Sequence, residues 1–480
     1  MLKNKIFKIL AAIAIIATIT TAQTSAVWNG TANTSWYNAL QNEFTINTAE
    51  QLAGLAELVN DGNDFSGKTI KLGANIMLND TTNWRNWIND APIREWVPIT
   101  GIFDTTSWIN DGEPDNAEDY LTAFNGTFDG NGRVVSGIYI SAADYSIGLF
   151  GFLAKDGTIK NLGVVASYII GKWDIGGLVG ANWGGTITNS YSTGNVRGDG
   201  GIGGLVGTNW GGTINNSYST GDVQGVGNGS LFGGLAGINY EGTISGSYST
   251  GNVLGHYYVG GLVGANWHED GNVSIIINSY STGNVQGDWY VGGLTSSGGK
   301  IINSYSTGNV KGNGGVGGLI GLLDGDEYII NSYFDSQTSG QSGSMGRTTA
   351  QMKQQSTFIG WDFENVWTIS PTKNNGYPYL LALGDNPITS ITTEKIGNKK
   401  STPFAFAGIK NGQINLRLQA GNYTAELYNL QGRLIGKTEI NATNGINATG
   451  LRTDNLSRGV FILNVKQAGN SVLRQKISIK

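Results

Sequence analysis

The chain holds few side chains able to do bond-making chemistry, and their spacing argues against most of it. Two histidines and no cysteine occur among 480 residues, which removes thiolate nucleophiles, disulfides and cysteine metal sites and leaves one zinc pattern to test. His268-Glu269 opens like an H-E-x-x-H helix, but Asn272 stands where the second histidine belongs and His256 lies twelve residues upstream, so no zinc ligand set is formed. The acidic run from Asn110 to Asp119 lacks the sixth-position glycine and twelfth-position glutamate of an EF-hand loop and reads as solvated loop.

Cleaving a polysaccharide takes two carboxylates about 5–10 Å apart, or a base with cationic help. From Gly171 to Asp335 the only lysines and arginines are Lys172, Arg197, Lys300 and Lys311, while Asp199, Asp222 and Asp288 fall mainly in glycine-rich turns. A polysaccharide-active enzyme is therefore the weaker reading, and we expect no catalytic residue, no metal and no cofactor. Binding is the chemistry that remains. Trp183, Trp210, Tyr240 and Trp267 hold the same place in four successive repeats; stacked in line they offer aromatic surface to sugar rings without ionic contacts, or else a ladder that packs the repeats together.

The elements that must position these rings follow from composition and self-similarity. Glycine supplies 75 of the 480 residues, charged residues only 14% against about 25% in average proteins, and aromatics 10%. Helices are excluded over the repeats, because glycine costs about 0.5–1 kcal/mol per helical position relative to alanine; disorder is excluded by the aromatic content. The net charge of −5 without a basic cluster argues against a nucleic-acid partner.

"IGGLVGANWGGTITNSYSTGNVRG" from Ile175 returns from Ile202 and then in diverged copies from Phe232, Val259, Val291 and Val316. The first serine of each "SYSTG" is Ser190, Ser217, Ser247, Ser279 and Ser304, at intervals of 27, 30, 32 and 25 residues. A fixed motif with a variable period means coils whose turns stretch while their strands stay in register. Three extended pieces per unit, "GGLVG", "GTIxNSYS" and "GNVxG", predict a parallel β-helix, right-handed by the crossover rule. Asn189, Asn216, Asn278, Asn303 and Asn331, interrupted by Gly246, read as an asparagine ladder between coils.

The repeat wording resembles the GLUG repeat of bacterial surface proteins. Flanking stretches fit that family's longer layout from Glu43 to Leu380: "EFTINTAEQLAGLAELVNDGNDF" as its opening segment, "FNGTFDGNGRVVSGIYI" as its first full coil, and "GWDFENVWTI" with "NNGYPYL" as its closing segment. Thr48 and Gln51 form a capping box ahead of Leu52, Leu55, Leu58 and Val59, which predicts a short helix over the open end of the stack. A second helical stretch, 349–355, with Trp361 and Trp367, is expected to plug the other end.

The two ends of the chain carry addresses. Lys3, Lys5 and Lys8 precede an apolar run from Ile9 to Ile19 and small residues up to Ala26, the pattern of a secretory signal peptide too short to span a membrane. After Gly384 the repeats cease, and "YTAELYNLQGRLIGK" and "LSRGVFILNVKQAGNSVLRQKISIK" resemble the C-terminal sorting domain of type IX secretion substrates in Gram-negative bacteria. The matching positions are Tyr428, Leu430, Gly432, Arg433, Leu456, Gly459, Val460, Ile462, Val465 and Lys476. The resemblance implies a small β-sandwich read by the secretion machinery. We therefore expect an all-β chain: signal peptide 1–26, capping region and first coils 27–142, GLUG-repeat β-helix 143–335, closing segment 336–383, linker 384–403 and sorting domain 404–480. Such a protein would be secreted to the outer cell surface and act as a non-catalytic adhesin or polysaccharide-binding protein, or as a purely structural spacer.

Overall fold

The computed structural model describes residues 27–92, 94–102, 122–142, 144–268, 272–323 and 328–383, together with seven strands between 405 and 479. The signal-peptide stretch, the acidic run from Asn110 to Asp119, Glu269, the linker 384–403, and Leu430, Gly432, Arg433 and Leu456 lie outside the described residues. The chain divides into two compact units, Met1–Pro387 and Ile388–Lys480.

The first unit is a parallel β-solenoid of about nine turns. One coil runs through Trp173–Gly176 on a first face, Val179–Trp183 on a second, Thr186–Thr188 and Tyr191–Ser192 on a third and Asn195–Gly198 on a fourth. Three of the four sheets contain seven strands each, and the third-face sheet continues into the N-terminal coils. Coils stack like on like: Ile175 pairs with Ile202, Val179 with Val206, Ile187 with Ile214, Tyr191 with Tyr218 and Val196 with Val223. Ile175, Leu178, Val179, Ile187 and Val196 are buried and belong to one continuous apolar core, so each coil completes its core only against its neighbours.

Where three extended pieces per coil were expected, five short strands on four faces are found. The "GGLVG" piece splits because the chain turns tightly there: a Cβ on Gly176 would sit 2.0 Å from its own coil's Val179 oxygen, and the same corner recurs at Gly203, Gly233 and Gly260 at 1.9 Å. Only glycine permits that approach, so the motif marks a corner and not one strand. The variable period also has a place. The three extra residues of the coil after Ser217 lie near Gly227, and those of the longest interval fall between the strands that end at Trp267 and begin at Ile275; both insertions leave the register of the strands intact.

At the N-terminal end the helix Ala49–Asn60 forms as expected. Thr48 Oγ1 accepts from the Gln51 amide at 3.3 Å, Gln51 Oε1 accepts from the Asn47 amide at 2.7 Å, and Gly62 at φ +100° follows the helix end. Leu52, Leu55 and Val59 join the core formed by Ile46, Phe65 and Ile70, which gives the helix its capping role.

The closing segment departs from expectation. A one-turn helix, Thr349–Met352, carries a capping box between Thr348 and Gln351, and a 3-10 turn follows at Gln355–Thr357. Trp361 then packs on Tyr305 and Tyr333, and Trp367 on Tyr280 and Tyr305. The segment thus lies along the third face over a column of tyrosines, with only Gly346–Arg347 pairing beyond the last third-face strand. Leu323, Tyr328 and Ile330 of the last coil stay exposed. The reason is chemical: a row of tyrosine rings offers more aromatic area to Met352, Phe358, Trp361, Trp367 and Tyr377 than a strand edge does.

The second unit holds two antiparallel sheets. Ala405–Lys410, Gln413–Leu418 and Gly445–Arg452 make one; Leu434–Ala442, Gly421–Tyr428, Gly459–Gln467 and Asn470–Ile479 make the other. Ile414, Leu416, Leu418 and Leu451 from the first share a core with Tyr423, Leu427, Phe461, Leu463 and Val465 from the second, which makes this unit a small β-sandwich.

Candidate functional site

The aromatic column exists and is in register. Trp183 pairs with Trp210, Trp210 with Tyr240 and Tyr240 with Trp267 on the second face. The Trp183 and Trp210 rings stack with centroids 5.0 Å apart and planes 18° from parallel, and Trp210 meets Tyr240 at 4.3 Å and 39°. At its lower end Trp183 meets Phe152 at 5.9 Å; at its upper end Trp267 meets Tyr258 edge-on at 5.3 Å and donates from Nε1 to Ser297 Oγ. Trp210 is 38% exposed and the other three are half-buried. From Trp183 to Tyr240 part of each ring face is taken by the neighbouring ring, which leaves ring edges toward solvent.

Immediately before each of these aromatics stands an asparagine that sequence reasoning passed over. Asn182, Asn209, Asn239 and Asn266 are fully buried. Nδ2 of the first three donates to Oδ1 of the next, at 2.7, 2.7 and 2.8 Å, and also to the Gly185, Gly212 or Gly242 oxygen in the following corner, while Asn266 Nδ2 donates to the Gly298 oxygen of the next coil. This is the amide ladder of the protein. The Asn189 column does something else. Asn189, Asn216, Asn278, Asn303 and Asn331 all have φ between +46° and +50°, and the interrupting Gly246 has φ +55°. These positions bend the third face through the left-handed region that asparagine and glycine tolerate; the side-chain link from Asn189 Nδ2 to Asn161 Oδ1 is 3.2 Å long and exposed.

Two further columns stiffen the same face. Each "SYSTG" opening serine accepts through Oγ from the serine amide of the preceding coil, from Ser190 and Ser217 up to Ser304 and Ser332, at 3.1–3.2 Å. Tyr191, Tyr218, Tyr248, Tyr280 and Tyr305 stack 4.8–5.0 Å apart within 8° of parallel. Burial pushes the Tyr305 phenol well above its ordinary range, and its hydroxyl donates to the Pro378 oxygen at 2.6 Å. Tyr377 is raised too, by burial and by donating to the Asp335 carboxylate at 2.7 Å.

The acids read from the sequence are not brought together. Asp222 Oδ1 accepts from the Asn252 amide at 2.9 Å, one step of a turn ladder that includes Asn195, Asn284 and Asn309. Asp199 precedes the first face of one coil, and Asp288 stands three coils further on, in contact with His256 Nδ1 and with Asn313 Nδ2 at 2.9 Å. Among the described residues no group of three or more His, Asp or Glu could hold a metal ion, and no helix is long and apolar enough to cross a membrane.

Comparison with known proteins fits this geometry. The GLUG motif is matched at residues 171–197, 198–224 and 255–286; each match spans first to fourth face, so one motif is one coil. The secretion system C-terminal sorting domain is matched at residues 410–480. Halomucin of Haloquadratum walsbyi is 39% identical over 100 residues, 20% of this chain and 1% of that protein. A putative Gly-rich membrane protein of Evansella cellulosilytica is 33% identical over 108 residues, 21% of this chain and 12% of its own length. The chain thus spans a small fraction of either relative. An IgA1 protease structure aligns over 60% of this chain and 21% of its own, at 18% identity and a TM-score of 0.39. The chain is a parallel β-solenoid carrying GLUG motif coils and ending in a type IX secretion sorting domain, which makes it a secreted protein of the cell surface with the secretion machinery as a partner.

Proposed function

We propose that this surface protein is a non-catalytic adhesin, its solenoid binding polysaccharide or another cell-surface polymer through aromatic and polar side chains. The observation that carries the reading is the in-register column Trp183, Trp210, Tyr240 and Trp267 on an outward face, with Trp210 the most open of the four. A rigid row of aromatic edges repeating at the strand spacing of about 4.8 Å suits a repeating polymer. The stacking of the rings on one another favours a second reading, in which the column only packs coils and the protein is a spacer.

A pull-down of the full chain on insoluble polysaccharides and bacterial envelope fractions separates the two. The adhesin reading expects retention that falls in the folded variant carrying Trp183→Ala, Trp210→Ala and Trp267→Ala. Retention of neither protein on any fraction leaves the spacer.

A further inference from the structure

A different aromatic pattern occupies the outward positions of the first face. In register up the stack, Tyr145 and Trp173 are followed by Gly200 and Ser230, then by Tyr257 and Trp289. Tyr145, Tyr257 and Trp289 are 38%, 36% and 45% exposed, three of the five exposed aromatic side chains among the described residues. Their setting differs from the second-face column. Trp173 and Trp289 have no ring partner among the described residues; each lies instead over the glycine of the next coil. A Cβ on Gly200 would meet the Trp173 ring at 2.7 Å, and one on Gly314 would meet the Trp289 ring at 2.2 Å. Both indoles are thus seated on rigid backbone while remaining partly open to solvent. Four strand spacings of about 4.8 Å put them about 19 Å apart, with Ser230 and Tyr257 in register between the covered Gly200 and Trp289.

The polar groups beside this row select the occupant. Asp144, Asp174, Asp199 and Asp288 adjoin it in sequence, against Lys172, whose amine donates to the Tyr145 hydroxyl at 2.9 Å. Asp288 is also in contact with His256 Nδ1 and accepts from Asn313 Nδ2, next to the exposed indole. An acid excess repels polyanions. Aromatic platforms parted by glycine and serine and edged with charge do not supply the continuous apolar centre of a protein interface. We infer that the first face is a binding site for a neutral polysaccharide laid along the solenoid axis, with Trp173 and Trp289 covering sugar rings and Asp288 and Asn313 bonding to hydroxyls. The inference rests on the polymer-binding reading above, adds a contact on another face and fixes the charge class of the polymer.

Affinity electrophoresis of the purified full chain in gels containing hydroxyethylcellulose, a neutral glucan, or polygalacturonate, an anionic one, tests it. Wild-type protein should be retarded by the first and not the second. The Trp173→Ala/Trp289→Ala double variant, checked for an unchanged urea midpoint, should bind the neutral glucan at least about tenfold more weakly, whereas Trp289→Phe stays within about threefold. A double variant that binds like wild type overturns the site, as does retardation by polygalacturonate alone. Loss of binding in Trp210→Ala but not in the double variant also overturns it, while leaving the adhesin reading intact on the second face. Wild type retarded by neither gel overturns the site, and the envelope pull-down then decides the wider reading.

Discussion

The two asparagine columns look alike in sequence and should respond differently to mutation. Asn209→Ala removes the bond from Asn182 Nδ2 and the bond to Asn239 Oδ1, both 2.7 Å, and the 3.0 Å bond to the Gly212 oxygen. The Gly212 oxygen keeps the Thr243 amide. One N–H of Asn182 and Oδ1 of Asn239 lose their partners in a fully buried site. At about 1–3 kcal/mol for each such group, the variant should lose about 2–6 kcal/mol. Asn216→Gly places glycine where φ is +47°, as the protein already does at Gly246, and should cost within about 1 kcal/mol, whereas Asn216→Ala meets left-handed strain of about 1–2 kcal/mol. Repeat arrays need not unfold in one step, so urea titration of the full chain should be joined to hydrogen exchange of the amides from 206 to 215. An Asn209→Ala cost below about 1 kcal/mol, or an Asn216→Gly cost exceeding it, would refute the division of roles.

Four other outcomes are expected. Gly221→Ala would place a Cβ 1.7 Å from the Gly194 oxygen of the coil below, a backbone atom that cannot swing away, and should cost at least about 3 kcal/mol in a urea titration. Gly227→Ala, at φ +64° with nothing near its Cβ, should lose only about 1–2 kcal/mol in the same assay. Because Tyr305 and Tyr377 are both held above the ordinary phenol range near 10, the fold favours their protonated forms. Their contribution is complete below about pH 10 and declines as pH rises beyond it, where the unfolded chain ionises first; unfolding titrations from pH 8 to 11.5 should show the decline, blunted in Tyr305→Phe and Tyr377→Phe. Asp335→Asn weakens the acceptor that holds the Tyr377 hydroxyl and the amides of Gln337 and Thr338, and limited proteolysis should then cut the closing segment faster than wild type, with the coils 173–334 left whole.

Much of the solenoid was legible because like residues stack on like: the positions of Ile175, Val179 and Ile187 repeat with the coil, and burial follows from the repetition. The capping helix was legible from Thr48, Gln51 and its leucine spacing. Five strands per coil were not, since a glycine pair reads equally well as part of a strand or as a corner until the backbone approach at Gly176 is seen. The amide ladder was hidden for a related reason. Asparagine is a turn former in sequence, and Asn182 stands beside the more conspicuous Trp183; its signal was persistence, for Asn239 remains where the tryptophan becomes Tyr240. The tyrosine column was equally regular, but nothing in "SYSTG" says that its first rings stack under one another while its last ones carry the closing segment.

The insertion of extra residues only between strands, near Gly227 and after Trp267, has a mechanical side. Coil–coil hydrogen bonds run along the stack, so a pull between the chain's ends loads one coil boundary at a time and not all of them in parallel. A released coil of 27 residues yields about 90 Å of extended chain. In a secreted protein of the cell surface, a solenoid built this way would lengthen one coil at a time under load, and the corner insertions would set how much slack each successive coil releases.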